Sequence, residues 1–148
     1  MMDLQLQVNA FADETGLGPI EPDQNGFYHF IADEDMSVSV GATADGEIVL
    51  LTEVGDVPPE GREQFYQMLL EAMYGLRETR GATFQIVSNP EKVLLRQVVS
   101  AARAASEPLA DRLNALADLQ AEWRRRVADF RPPAEEGERE GESAVIWI

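Results

Sequence analysis

Few residues in this chain have types that do chemistry. There is one histidine and no cysteine among 148 residues. Disulfides, thiol nucleophiles and thiolate metal sites are therefore excluded, and a metal site would need carboxylates for nearly all its ligands. His29 lies in the aromatic run Phe27-Tyr28-His29-Phe30-Ile31. A general base needs a nucleophile or second ligand within hydrogen-bond reach. The flanking sequence supplies neither, so the expectation is a structural histidine on a strand face. Asp33-Glu34-Asp35 lacks the alternating ligands, the central glycine and the closing glutamate of a calcium loop, and reads as a solvated turn. Glu63 and Glu71 would do acid/base work only if a pocket joined them. The sequence holds no G-x-G-x-x-G, G-x-x-x-x-G-K, H-E-x-x-H or G-x-S-x-G motif. No catalytic residue, cofactor or metal is assigned, and a binding protein is expected rather than an enzyme.

The elements that would position these residues follow from periodicity. Leu4, Val8, Phe11 and Ala12 recur at helical spacing, and Gly16, Gly18 and Pro19 stop a first helix over about 2–15. Phe27 to Ile31 is a strand. Met36, Val38, Val40 and Ala42 alternate with Ser37, Ser39 and Gly41, which predicts a strand with one buried face. Asp45-Gly46 is a hairpin signal, and Glu47 to Thr52 forms the returning strand. Phe65, Met68, Leu69, Ala72, Met73 and Leu76 give a second helix over about 60–76. Tyr66, Leu70 and Tyr74, spaced by four, add a second apolar stripe. A helix apolar over so much of its girth is expected to pack against two things, the second being another subunit.

Ala82 to Val87 and Val93 to Val99 read as a hairpin around Ser88-Asn89-Pro90-Glu91-Lys92. The last helix is expected from Ser106-Glu107-Pro108, with Ser106 as cap and Pro108 in the first turn. Leu109, Leu113, Leu116, Gln120, Trp123, Val127 and Phe130 share its inner face. The expected fold is α+β in the order α-β-β-β-α-β-β-α, a mainly antiparallel five-stranded sheet with three helices. One domain covers residues 1–131. Residues 132–148 form an acidic tail, closed by the apolar Ala144-Val145-Ile146-Trp147-Ile148, for which docking as a displaceable placeholder is one expectation and an end that touches nothing is the other.

The formal net charge is -15, which disfavours nucleic acid as a partner. Its distribution is uneven. Residues 1–61 hold thirteen acids and no Lys or Arg, whereas residues 92–130 hold seven basic and five acidic residues. The first half would attract a basic partner and repel membranes. No apolar run approaches the length of a membrane span, and the opening MMDLQLQVNAFADE has acids where a signal peptide needs basic residues, so a cytoplasmic protein is expected.

In this order of elements the chain resembles the class I type III secretion chaperones, the Tir-chaperone family, over about 4–130. The likeness is carried by Thr15-Gly16-Leu17, the strand after Asn25-Gly26, and Asp45 to Thr52 running into Val54-Gly55-Asp56-Val57-Pro58. The Gln64 to Tyr74 helix leading to Gly81-Ala82-Thr83-Phe84-Gln85, and Trp123-Arg124, carry the rest. Tyr74-Gly75 stands where the family usually has Asn. The resemblance implies a homodimer without ATPase activity that holds the N-terminal chaperone-binding segment of a secreted effector protein extended for export. The secretion ATPase is a further partner it brings into view. The alternative is an adaptor or regulator of the same fold that binds a folded protein. Candidate effector contacts are Leu4, Val8, Phe11, Phe27, Phe30, Val38 and Val40, each also of a type that suits the core. The candidate dimer interface is Tyr66, Leu70 and Tyr74.

Overall fold

The structure is a computed structural model in which residues 4–32 and 36–132 are described. The Asp33-Glu34-Asp35 turn and the tail from 133, with Ala144 to Ile148, lie outside the described residues. The first half comprises α1 (Leu4–Thr15), β1 (Tyr28–Ala32), β2 (Met36–Ala42), β3 (Ile48–Asp56) and α2 (Arg62–Ala72). A 3-10 turn (Tyr74–Leu76) leads to β4 (Thr83–Val87), β5 (Lys92–Val99), α3 (Ala101–Ser106) and α4 (Leu109–Asp129). The strands make one sheet in the order β1-β2-β3-β5-β4, every neighbouring pair antiparallel. This is the expected α+β architecture.

Several expectations about the helices are corrected. Helix two does not run unbroken to Leu76. It ends at Ala72, and Gly75 at φ 68 turns the chain through a 3-10 segment, a conformation that glycine adopts without a Cβ penalty. The last helix is preceded by a separate short helix, α3, so there are four α-helices among the described residues. Ser100 caps α3 by accepting a hydrogen bond from the Arg103 amide at 3.2 Å. Ser106, expected as the cap of the last helix, instead ends α3 and donates its hydroxyl to the Ala102 and Arg103 carbonyls. Pro108 itself is the N-cap of α4.

Strand parity decides which side chains the helices cover. Val38 pairs with Thr52 and Val40 with Leu50, all four buried and facing the helices. One core cluster joins Val8 and Phe11 of α1 to β2, Ile48 and Leu50 of β3, and Leu109, Leu113 and Leu116 of α4. A second joins Phe65 and Leu69 of α2 to Val93 and Leu95 of β5 and to Leu119, Trp123 and Val127 of α4. The long helix α4 is therefore common to both. Between Glu53 and Gly55 the register of β3 shifts against β5, and buried Gln120 donates to the Glu53 carbonyl there at 3.0 Å. Gly55 sits so close to Val127 that an added Cβ would lie 2.7 Å from it.

Candidate functional site

Helix α2 turns Phe65, Leu69 and Ala72 inward, because these positions recur at three and four residues. The positions between them face outward. Leu70 is 65 % and Tyr74 88 % exposed, while Tyr66 is half-buried. With Met73 and Gln67 they line a shallow apolar groove rimmed by Glu63 and Glu71. The candidate dimer residues thus lie together on one open face.

Tyr66 is held in place from the side. Both terminal nitrogens of Arg62 donate to the Glu91 carboxylate at 2.6 Å, and Nη2 also donates to the Tyr66 hydroxyl at 3.0 Å. This fork-to-fork pairing fixes a plane as well as a distance. It holds the Glu91 carboxyl below its ordinary range and raises the Arg62 guanidinium.

The seven candidate effector contacts divide. Val8, Phe11, Val38 and Val40 are enclosed in the core, at 0 to 8 % exposure, so a partner cannot touch them while the fold is closed. For these four the core reading replaces the contact reading, because the branched and aromatic types that bind partners also fill cores. Leu4, Phe27 and Phe30 are half-buried. Leu4 and Phe30 pack on the rim of the first core cluster. Phe27 lies on the opposite side of the sheet, its ring over Gly41.

Among the described residues, the helices of both core clusters pack on the other face, not on this one. This face presents Ile31, 52 % exposed, and Val98, with Leu51 and Leu94 half-buried. Leu6 and Leu17 are exposed at the N-terminal helix and the loop after it. None of these is among the candidate contacts read from the sequence, although Ile31 shares the parity of His29 and so falls on the same face.

His29 has the partners its flanking sequence did not supply. Its Nε2 lies 2.7 Å from Asp23 Oδ2 and its Nδ1 2.8 Å from Ser39 Oγ. The β1–β2 register sets Ser39 directly across from His29. Asp23 is fixed by a tight turn, its Oδ1 accepting from the amides of Asn25 and Phe27 at 2.8 and 2.9 Å. The bond from His29, followed by these amides, holds the Asp23 carboxyl below its ordinary value. Phe27 stacks on the imidazole at 6.5 Å between centroids.

Among the described residues no cluster of three His, Cys, Asp or Glu is placed to hold a metal ion. No helix among them is long and apolar enough to cross a membrane.

Compared with known proteins, residues 7–124 match the family model described as Tir chaperone protein (CesT) family. The chain belongs to the Tir chaperone protein (CesT) family. This Tir chaperone family member also shares its fold with solved structures. A chain of the ExsC–ExsE complex superposes with a TM-score of 0.65 at 23% identity, covering 91% of this chain and 100% of that one. A chain from the complex of the Yersinia pestis type III secretion chaperone SycH with a stable fragment of YscM2 gives 0.58 at 20% identity, covering 82% and 99%. A chain of the HopA1–SchA chaperone–effector complex gives 0.58 at 12% identity, covering 88% and 100%. A search of curated protein sequences finds no significant match.

Proposed function

We propose that this Tir chaperone family member is a cytoplasmic homodimer that binds the N-terminal segment of a secreted effector and keeps it extended for type III export. It does so by binding alone, without catalysis. The single observation that carries the reading is the family match over residues 7–124. The similar structures support it, since two were solved as chaperone complexes, one of them explicitly with an effector. The fold supplies suitable surfaces. β1 is an edge strand with exposed Ile31, to which an extended chain can add through main-chain hydrogen bonds. Thirteen acids without a basic residue in 1–61 favour a basic segment and speed its capture. The open α2 face supports the dimer, because a monomer leaves Leu70 and Tyr74 in water. A contact with the secretion ATPase belongs to the same reading.

The test is co-expression with N-terminal segments of effectors encoded in the same genome. A stable complex in which the bound segment keeps the narrow amide shift dispersion of a non-globular chain is expected. Binding only to a folded domain would replace the chaperone reading with that of an adaptor.

A further inference from the structure

On the side of the sheet away from both core clusters, three residues form an unbroken chain of hydrogen bonds. Asp23 Oδ2 faces His29 Nε2 at 2.7 Å, and His29 Nδ1 faces Ser39 Oγ at 2.8 Å. Asp23 carries its negative charge at neutral pH, since its carboxyl is held below the ordinary 3.8. A carboxylate only accepts, so it fixes the imidazole proton on Nε2. In the neutral imidazole the lone pair is then on Nδ1, where it can accept the Ser39 hydroxyl proton. This is the arrangement that makes a serine oxygen nucleophilic: an oriented base on the hydroxyl and a carboxylate behind the base.

The relay is built firmly. Asp23 is anchored by two backbone amides, and Phe27 lies against the imidazole. Ser39 also lines a shallow cleft of about 190 Å³ with Ser37, Leu51, Thr52, Glu53 and Leu94. Leu51 and Leu94 give that cleft apolar surface beside the hydroxyl. The effector-binding reading gives the side chains of Asp23, His29 and Ser39 no role.

We propose that Ser39 is an acyl-acceptor site, modified covalently by activated acyl donors such as aryl esters and acyl phosphates. In the step, Ser39 Oγ attacks the acyl carbon while His29 Nδ1 takes the hydroxyl proton. The new Oγ–C bond forms, the bond from the acyl carbon to the leaving oxygen breaks, and the proton passes to the leaving group or to water. The product is an O-acyl serine on the outer face of the sheet.

The full-length protein is incubated with p-nitrophenyl acetate, and the acetylated residue is located and its rate followed by peptide mass spectrometry. Lysine background is small, because Lys92 is the only lysine in the chain and it is engaged by Asp56 and Glu53. Acetyl-Ser39 is expected, with acetylation of Ser39 about 10²-fold slower in His29→Gln, as for loss of a positioned base. Asp23→Asn should also slow it, by releasing the tautomer. Circular dichroism of each variant confirms that the sheet is retained, and Ser39→Ala, which leaves the relay's other members in place, should lose the adduct. Labelling confined to Lys92, the tyrosines or the N-terminal amine, or a Ser39 rate unchanged in His29→Gln, overturns the proposal. Effector binding is a separate readout, so failure here leaves the chaperone reading intact.

Discussion

The ring of Phe27 occupies the space that a side chain at Gly41 would need: a Cβ built there lies 2.7 Å from two ring carbons. The two residues stand opposite each other just beyond the Tyr28–Val40 pair, so the glycine admits the ring over the sheet. Gly41→Ala should destabilise by about 1–3 kcal/mol, as overpacking does. In a Phe27→Ala background the same substitution should cost much less, a coupling that urea unfolding of the four proteins would measure. Additive effects would mean the ring moves aside freely.

Gln120 is 6 % exposed and donates to the Glu53 carbonyl at the register shift of β3. Gln120→Met keeps the volume but leaves that carbonyl without its donor. A loss of about 1–3 kcal/mol is expected, the usual cost of an orphaned buried polar group. It should appear as a lower urea midpoint with an unchanged slope.

Leu70 stands at the centre of the open α2 stripe. In a two-fold interface each substitution acts twice. Leu70→Glu should raise the dissociation constant of the proposed dimer by roughly 10²-fold or more, since burial of each leucine contributes about 1.5–3 kcal/mol. Sedimentation equilibrium reads this directly, and an undiminished dimer would place the interface elsewhere.

The Arg62–Glu91 pair gives a pH dependence of known sign. The Glu91 carboxyl is held below its ordinary 4.5 by the Arg62 hydrogen bonds. Its contribution is therefore fully present above 4.5 and is lost as pH falls through the lower folded value. Both partners are substantially exposed, so the effect is small. Thermal unfolding of the parent and Glu91→Gln should differ at neutral pH and converge in acid. A gap that widens below 4.5 would contradict the assignment.

Much of this fold is written in short-range patterns. The alternation from Met36 to Ala42 appears as β2 with Met36, Val38 and Val40 buried, and Asp45-Gly46 forms the β2–β3 turn. The Tyr66, Leu70 and Tyr74 spacing put those residues on one face. Other features depend on contacts that no local window contains. Ser106 has the type of a helix cap, but Ser100 starts a helix first and leaves Ser106 at its end. Val8 and Val40 have the type of a contact residue, and only the packing of α1 and α4 decides that they are core. Asp23, His29 and Ser39 are separated by six and ten residues, and a turn and an antiparallel register bring them together. His29 lacked partners in the sequence for that reason alone.

Because α4 belongs to both core clusters, the order of synthesis acquires a meaning. When α1 and β1 to β3 emerge from the ribosome, the residues that close their core, Leu109, Leu113 and Leu116, have not been made. The same holds for α2, which waits for Leu119, Trp123 and Val127. Neither half can finish alone, and translation at about 5–20 residues per second leaves their apolar faces open for several seconds. A nascent chain in that interval presents Val8, Val38 and Val40 to its surroundings, and the arrival of one helix withdraws them all.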